Sequence, residues 1–87
     1  MNATERERAR DYERYIKQVI NDNPKYKQYA GSLLLPTHVT ADILGQNQNS
    51  KSFRDLLKIC PRNRWGNRKM LAIPDIGRAL VESQKIG

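Results

Sequence analysis

The sequence predicts a mostly helical domain with one short β-hairpin near its C-terminal end. Apolar residues recur at helical spacing within residues 4–21, 37–44 and 51–60. Gly or Pro stands at the ends of these runs, at Pro24, Gly31, Gly45 and Pro61. After Pro61, two short runs flank Trp65-Gly66-Asn67, which carries a hairpin turn signal.

Residues 4–21 are expected to form an amphipathic helix, with Thr4 as cap and Glu7 three residues on, as in a capping box. Ala9, Tyr12, Ile16, Val19 and Ile20 make its apolar stripe, with Tyr15 on the flank. The opposite face alternates Glu and Arg, so local ion pairs solvate it. Asn23 before Pro24 is a helix-start signature, and Gly31 a stop, which predicts a second, short helix over 24–30. Residues 32–36 are apolar and extended, because Pro36 disfavours helix just before it. A helix then runs from Thr37 or His38 to Leu44, with Val39, Ile43 and Leu44 inward and Gly45 as its stop.

Gln46-Asn47-Gln48-Asn49 reads as a polar turn. Residues 51–60 form the next helix, capped by Ser50 or Asn49, with Phe53, Leu56, Leu57 and Cys60 on its inner face. Pro61 closes it. Residues 62–64 and 68–73 are the strands of the hairpin. A last helix begins at Pro74 or Asp75, with Ile76, Leu80 and Val81 as its stripe. Gly77 weakens that helix, and Lys85 lies near its C-terminus, where a cation is favoured.

A chain of 87 residues suits one small domain. Hydrophobic residues at 38% and charged ones at 29% fit a compact but thin core. Residues 1–31 read as a helical extension and 32–87 as the main module, within one compact domain. The extension is expected to pack on the module, with self-association through its helix, or docking on a recombinase or another protein, as the other uses of its stripe.

The net charge of +7 is concentrated. Residues 50–69 hold seven basic groups against Asp55, a net +6. Solubility alone predicts a spread of charge, whereas a field gathered in one block suits a polyanion held at one face. Cys60 is the only cysteine, which rules out a disulfide within the chain and points to a reducing cytoplasm. It reads as a small buried or half-buried apolar residue rather than a reactive thiol. No apolar run reaches membrane-spanning length, and the first twenty residues are too polar for a secretory signal. Acidic residues before position 14 argue against a transit peptide.

Enzyme chemistry finds little footing. One His and one Cys do not make a metal site. Asp42, four residues after His38, is more often a local helix contact than part of a triad. Isolated glycines make no phosphate loop. Tyr12, Tyr15, Tyr26 and Tyr29 read as packing rather than nucleophiles. No cofactor is expected.

Taken in order, residues 36–82 give a short helix ending in Gly, a polar turn and a second helix with cations outside. Pro, a basic hairpin and a closing helix follow. This order suits a helix-turn-helix with a β-hairpin wing: the second helix enters the major groove and the wing follows the backbone or minor groove. The stretch from Leu33 to Leu80 resembles the winged helix-turn-helix module of phage and plasmid excisionases, within the wider MerR-like and AlpA-like group. Thr40-Ala41-Asp42-Ile43-Leu44-Gly45 is similar to the first helix and its stop. Ser50-Lys51-Ser52-Phe53-Arg54-Asp55-Leu56-Leu57-Lys58 is similar to the recognition helix. Cys60-Pro61 matches the break, residues 64–73 the wing, and Asp75-Ile76 the start of the closing helix. The match covers about half the chain.

That resemblance places Lys51, Arg54, Asp55 and Lys58 on the outer face of the recognition helix, and helical spacing gives the same set. Arg54 is expected to read guanine, and Lys51 or Lys58 to meet base or phosphate. Asp55 either accepts from cytosine or pairs with Lys51 or Lys58, and the pair is the expectation. Gln48, Asn49, Ser50 and Ser52 would donate to phosphate at the helix start. In the wing, Arg62, Arg64, Asn67, Arg68 and Lys69 would contact phosphate or minor groove, with Gly66-Asn67 at the tip. Trp65 would pack on the helix or lie against the sugar backbone, and packing is the expectation.

The resemblance implies a fold that is mostly α, a winged helix-turn-helix with a two-stranded wing and an extra N-terminal helix. It implies a cytoplasmic, nucleoid-associated protein of a mobile element that binds double-stranded DNA sequence-specifically. As an architectural factor it would bend DNA, assist a site-specific recombinase and repress an overlapping promoter. Two other readings stand beside it. One is a dimeric repressor or activator on a palindrome. The other is a small RNA-binding or protein-interaction module.

Overall fold

The computed structural model describes the backbone of residues 1–65 and 68–86, and the side chains of all of these except Arg64, Trp65, Lys85 and Ile86. Five helical elements and three strands follow one another along it. Helix α1 spans Ala3–Asp22, and a 3-10 helix spans Pro24–Tyr29. Strand β1 is Leu34–Pro36, α2 is Thr37–Ile43 and α3 is Lys51–Ile59. Strands β2, Arg62–Trp65, and β3, Arg68–Ala72, form the hairpin, and α4 is Ile73–Ile86.

The start of α1 differs from expectation. Asn2 caps it, its Oδ1 accepting the Glu5 backbone N–H at 2.9 Å. The cap therefore lies two residues before Thr4, because Asn caps as well as Thr and Ala3 and Thr4 are free to be helical. The stripe falls as expected: Ala9, Ile16 and Ile20 are buried, Tyr12 and Val19 half-buried, Tyr15 exposed. Asn23 ends α1 and caps the 3-10 helix, accepting from the Lys25 N–H at 3.0 Å.

Helix α2 ends in a paired closure. The Gln46 N–H reaches the Ala41 carbonyl at 2.9 Å and the Gly45 N–H the Asp42 carbonyl at 3.1 Å. Gly45 has φ +68°, the left-handed conformation this closure requires. In the connection to α3, Asn47 Oδ1 accepts the Asn49 N–H at 2.8 Å. Ser50 Oγ then accepts the Phe53 N–H at 3.3 Å, so Ser50 rather than Asn49 is the cap of α3.

The sheet has three strands, not the two of the expected hairpin. Its order is β1-β3-β2, all antiparallel. Leu34 pairs with Ala72, Leu35 with Leu71 and Pro36 with Met70. Three residues are too few for alternation to show in the sequence. Pro36, which has no N–H to give, is accommodated because β1 is an edge strand. The Ile73 N–H donates to the Leu33 carbonyl at 2.8 Å and ties the start of α4 to this edge.

One buried cluster joins every layer. Ile16 and Ile20 of α1 and Tyr26 of the 3-10 helix lie in it with Leu35, Phe53, Leu56, Leu71, Ile73 and Ile76. Residues 1–31 thus share one core with the described residues that follow. The buried Thr40 hydroxyl donates to the Pro36 carbonyl at 3.1 Å, so its oxygen is not stranded there.

Candidate nucleic-acid interface

The outer face of α3 follows from its inner one. Phe53, Leu56 and Cys60 are buried and Leu57 is half-buried. Helical geometry then turns Lys51, Arg54, Asp55 and Lys58 outward, and all are exposed. Asp55 pairs with Lys58 at 3.4 Å, one turn along, in the manner expected of it. Among the described residues, Lys51 and Arg54 have no carboxylate partner. They are the open cations of this face. Gln48 and Asn49 are exposed just ahead of the helix, and Ser52 beside them. Ser50 is half-buried with its oxygen engaged as the cap, so it sets where α3 begins.

The hairpin register sorts its cations. Arg62 pairs with Leu71, Asn63 with Met70, Arg64 with Lys69 and Trp65 with Arg68. Strand alternation puts Lys69 on the sheet face of Leu71, which is buried together with its cross-strand partner Leu35. Arg68 falls on the opposite face with Met70. Both cations are exposed, as is Arg62. The expected wing set is therefore divided between two faces. Asn67, the Gly66-Asn67 tip, the side-chain contacts of Arg64 and the packing of Trp65 lie outside the described residues.

Cys60 and Pro61 join α3 to the hairpin, and the Cys60 N–H closes α3 on the Leu56 carbonyl. Cys60 is buried, and burial, with Asp75 adding to it, pushes its thiol up to about 11. The positive charges of Arg62 and Arg78 act on the same sulfur in the opposite sense. Arg78 is itself held by Asp75 at 2.6 Å within the first turns of α4.

A second polar cluster went unread in the sequence. Lys25 Nζ lies 2.7 Å from Asp42 Oδ2, and the Tyr26 hydroxyl donates to the same oxygen. Hydrogen bonds from Lys25 and then Tyr26 hold the Asp42 carboxyl below the ordinary range, with a smaller contribution from the His38 charge. The main partners of Asp42 are therefore on the 3-10 helix rather than at His38. They clamp that element to α2. Adjacent Lys and Tyr are common, and no local pattern links positions 25 and 26 to position 42.

Among the described residues, no group of three or more His, Cys, Asp or Glu side chains is placed to hold a metal. No helix among them is long and apolar enough to cross a membrane. Compared with protein-family models, curated proteins and solved structures, the chain matches none.

Proposed function

We propose that the chain is a sequence-specific duplex DNA-binding protein built as a winged helix-turn-helix. In this reading α2 and α3 are the helix-turn-helix, β2 and β3 the wing, and α3 lies in the major groove. The observation that carries it is the pair of open cations on α3, Lys51 and Arg54, followed along the chain by a hairpin that bears exposed Lys69. In this reading the helix and the hairpin contact one duplex, the helix at base edges and the hairpin at phosphates. Arg54 reads a base edge, bidentate to guanine, and Lys51 and Lys69 take phosphates. Exposed Gln48, Asn49 and Ser52 supply donors at the start of α3.

The excisionase-like use of such a module is architectural: neighbouring copies bend DNA in a mobile element's excision complex and can repress an overlapping promoter. Bending a site of 20–30 bp costs on the order of 1–6 kcal/mol, which several phosphate contacts per copy offset. A dimeric regulator on a palindrome would share the DNA contacts of this reading. Titration of mixed-sequence duplex DNA across a salt series tests the shared claim. Log affinity falling linearly with log salt, with a shallower slope in Lys51→Ala, supports it. Affinity indifferent to salt, or no binding, overturns it.

A further inference from the structure

Helices α1 and α4 border a cleft of about 350 Å³ near the start of α4. Arg6, Arg10 and Glu13 of α1 line it with Pro74 and Arg78 of α4. Arg6 and Arg10 stand four residues apart, so they share a face of α1. Gly77 packs against Ala9, which sets Arg78, the next residue, beside that face. Three guanidiniums from two helices therefore meet at one cleft, and all three arginines are exposed.

Little of this charge is spent internally. The alternation of Glu and Arg along α1 predicts local ion pairs, and Arg14 with Asp11 is such a pair. Among the described residues, Arg6 and Arg10 have no carboxylate partner. Arg78 is held by Asp75 through one nitrogen, and a guanidinium has further donors to offer. Glu13, half-buried, is the one carboxylate in the lining. The excess continues toward the hairpin, because Arg78 and Arg62, the first residue of β2, both act on the Cys60 sulfur. Arg6, Arg10, Arg62 and Arg78 thus stand against Glu13 and Asp75.

Guanidinium forks suit phosphate and carboxylate alike. An acidic protein segment would need apolar anchors at the centre of its contact, and the lining offers only Met1, Ala9 and Pro74. A phosphate backbone needs charge and donors alone. Arg62, at the start of the wing, already belongs to the surface read as DNA-facing.

We propose that this cleft is a second backbone contact for duplex DNA, in which Arg6 and Arg10 each take a phosphate beyond the wing. Helix α1 then binds DNA as well as covering the core. The inference rests on the duplex-binding reading, and its test separates the two.

The full chain is titrated with mixed-sequence duplex DNA across a salt series. Arg6→Ala and Arg10→Ala should each make the log–log slope shallower by about one and weaken binding about fivefold to tenfold near 0.1 M salt. Arg8→Ala removes the same charge from the same helix outside this cleft, where Arg8 lines a different cavity with Tyr12 and Tyr15. It should leave the slope unchanged. Thermal melts establish that each variant folds, and Arg6→Gln and Arg10→Gln replace any alanine variant that does not. Wild-type binding whose slope responds to Lys51→Ala but to neither Arg6→Ala nor Arg10→Ala overturns this inference alone and leaves the cleft to an acidic protein partner. An Arg8→Ala loss equal to theirs also overturns it, since the effect would then be one of net charge. A wild-type chain that does not bind duplex DNA overturns both readings.

Discussion

Gly77 of α4 lies against the Ala9 backbone of α1 so closely that a Cβ at position 77 would stand 2.5 Å from the Ala9 carbonyl oxygen. The two helices meet there through their smallest residues. Gly77 looks in the sequence like a weakness in α4, since Gly costs a helix about 1 kcal/mol relative to Ala. In the fold it is what lets α1 close over the core.

Gly77→Ala should therefore destabilise the protein in spite of the better helix former. Overpacking against backbone, which cannot rotate away, is expected to cost about 1–3 kcal/mol net. Urea unfolding with unchanged slope and a lower midpoint is the expected result. A raised midpoint would mean that α1 and α4 are not in contact at this point.

The Asp42 clamp should show in the acid limb of stability. The folded-state pKa of Asp42 lies below the ordinary 3.8, through hydrogen bonds from Lys25 and then Tyr26. Its contribution is fully present above the ordinary value and is lost as pH falls through the lowered one. Lys25 and Tyr26 are both shifted upward, chiefly by their hydrogen bonds to Asp42. Their contribution is present below their ordinary values and is lost as pH rises through the raised ones. Asp42→Asn should lower the melting temperature at neutral pH and flatten the acid limb. Parallel melting curves for the two proteins across that limb would contradict the clamp.

Cys60 should be a slow thiol. Its rise from 9.0 to about 11 cuts the thiolate fraction near neutral pH about a hundredfold, before burial also hinders access. Labelling with a thiol reagent should be slow in the native protein and fast in denaturant. Equal rates would place Cys60 outside the core.

On DNA, the two faces of the hairpin should separate. Lys69→Ala is expected to weaken all sites alike and reduce the log–log salt slope by about one. Arg68→Ala, on the opposite face, should weaken them less. Arg54→Ala should relax preference at one base position, costing about 1–3 kcal/mol there. An Arg68→Ala loss exceeding that of Lys69→Ala would place the other face of the hairpin against DNA.

Much of the helical frame was legible because its signals are local. Pro24, Gly45 and Ser50 act within a turn of themselves, and the stripe of α3 needs only its own spacing. The outward residues of α3 were readable for the same reason, including the Asp55–Lys58 pair. What could not be read depends on distant partners. Strand β1 exists because Leu35 meets Leu71, thirty-odd residues on. The value of Gly77 depends on Ala9, and the partners of Asp42 sit on an element that no periodicity ties to α2.

Selection from random duplex DNA at near-physiological salt, with sequencing of the bound pool, tests the central claim most directly. The expected result is a short motif that loses one base of its preference in Arg54→Ala, in tandem for the excisionase-like arrangement and as a mirrored pair for a dimeric regulator. A bound pool no different from the starting pool would contradict sequence-specific duplex binding itself.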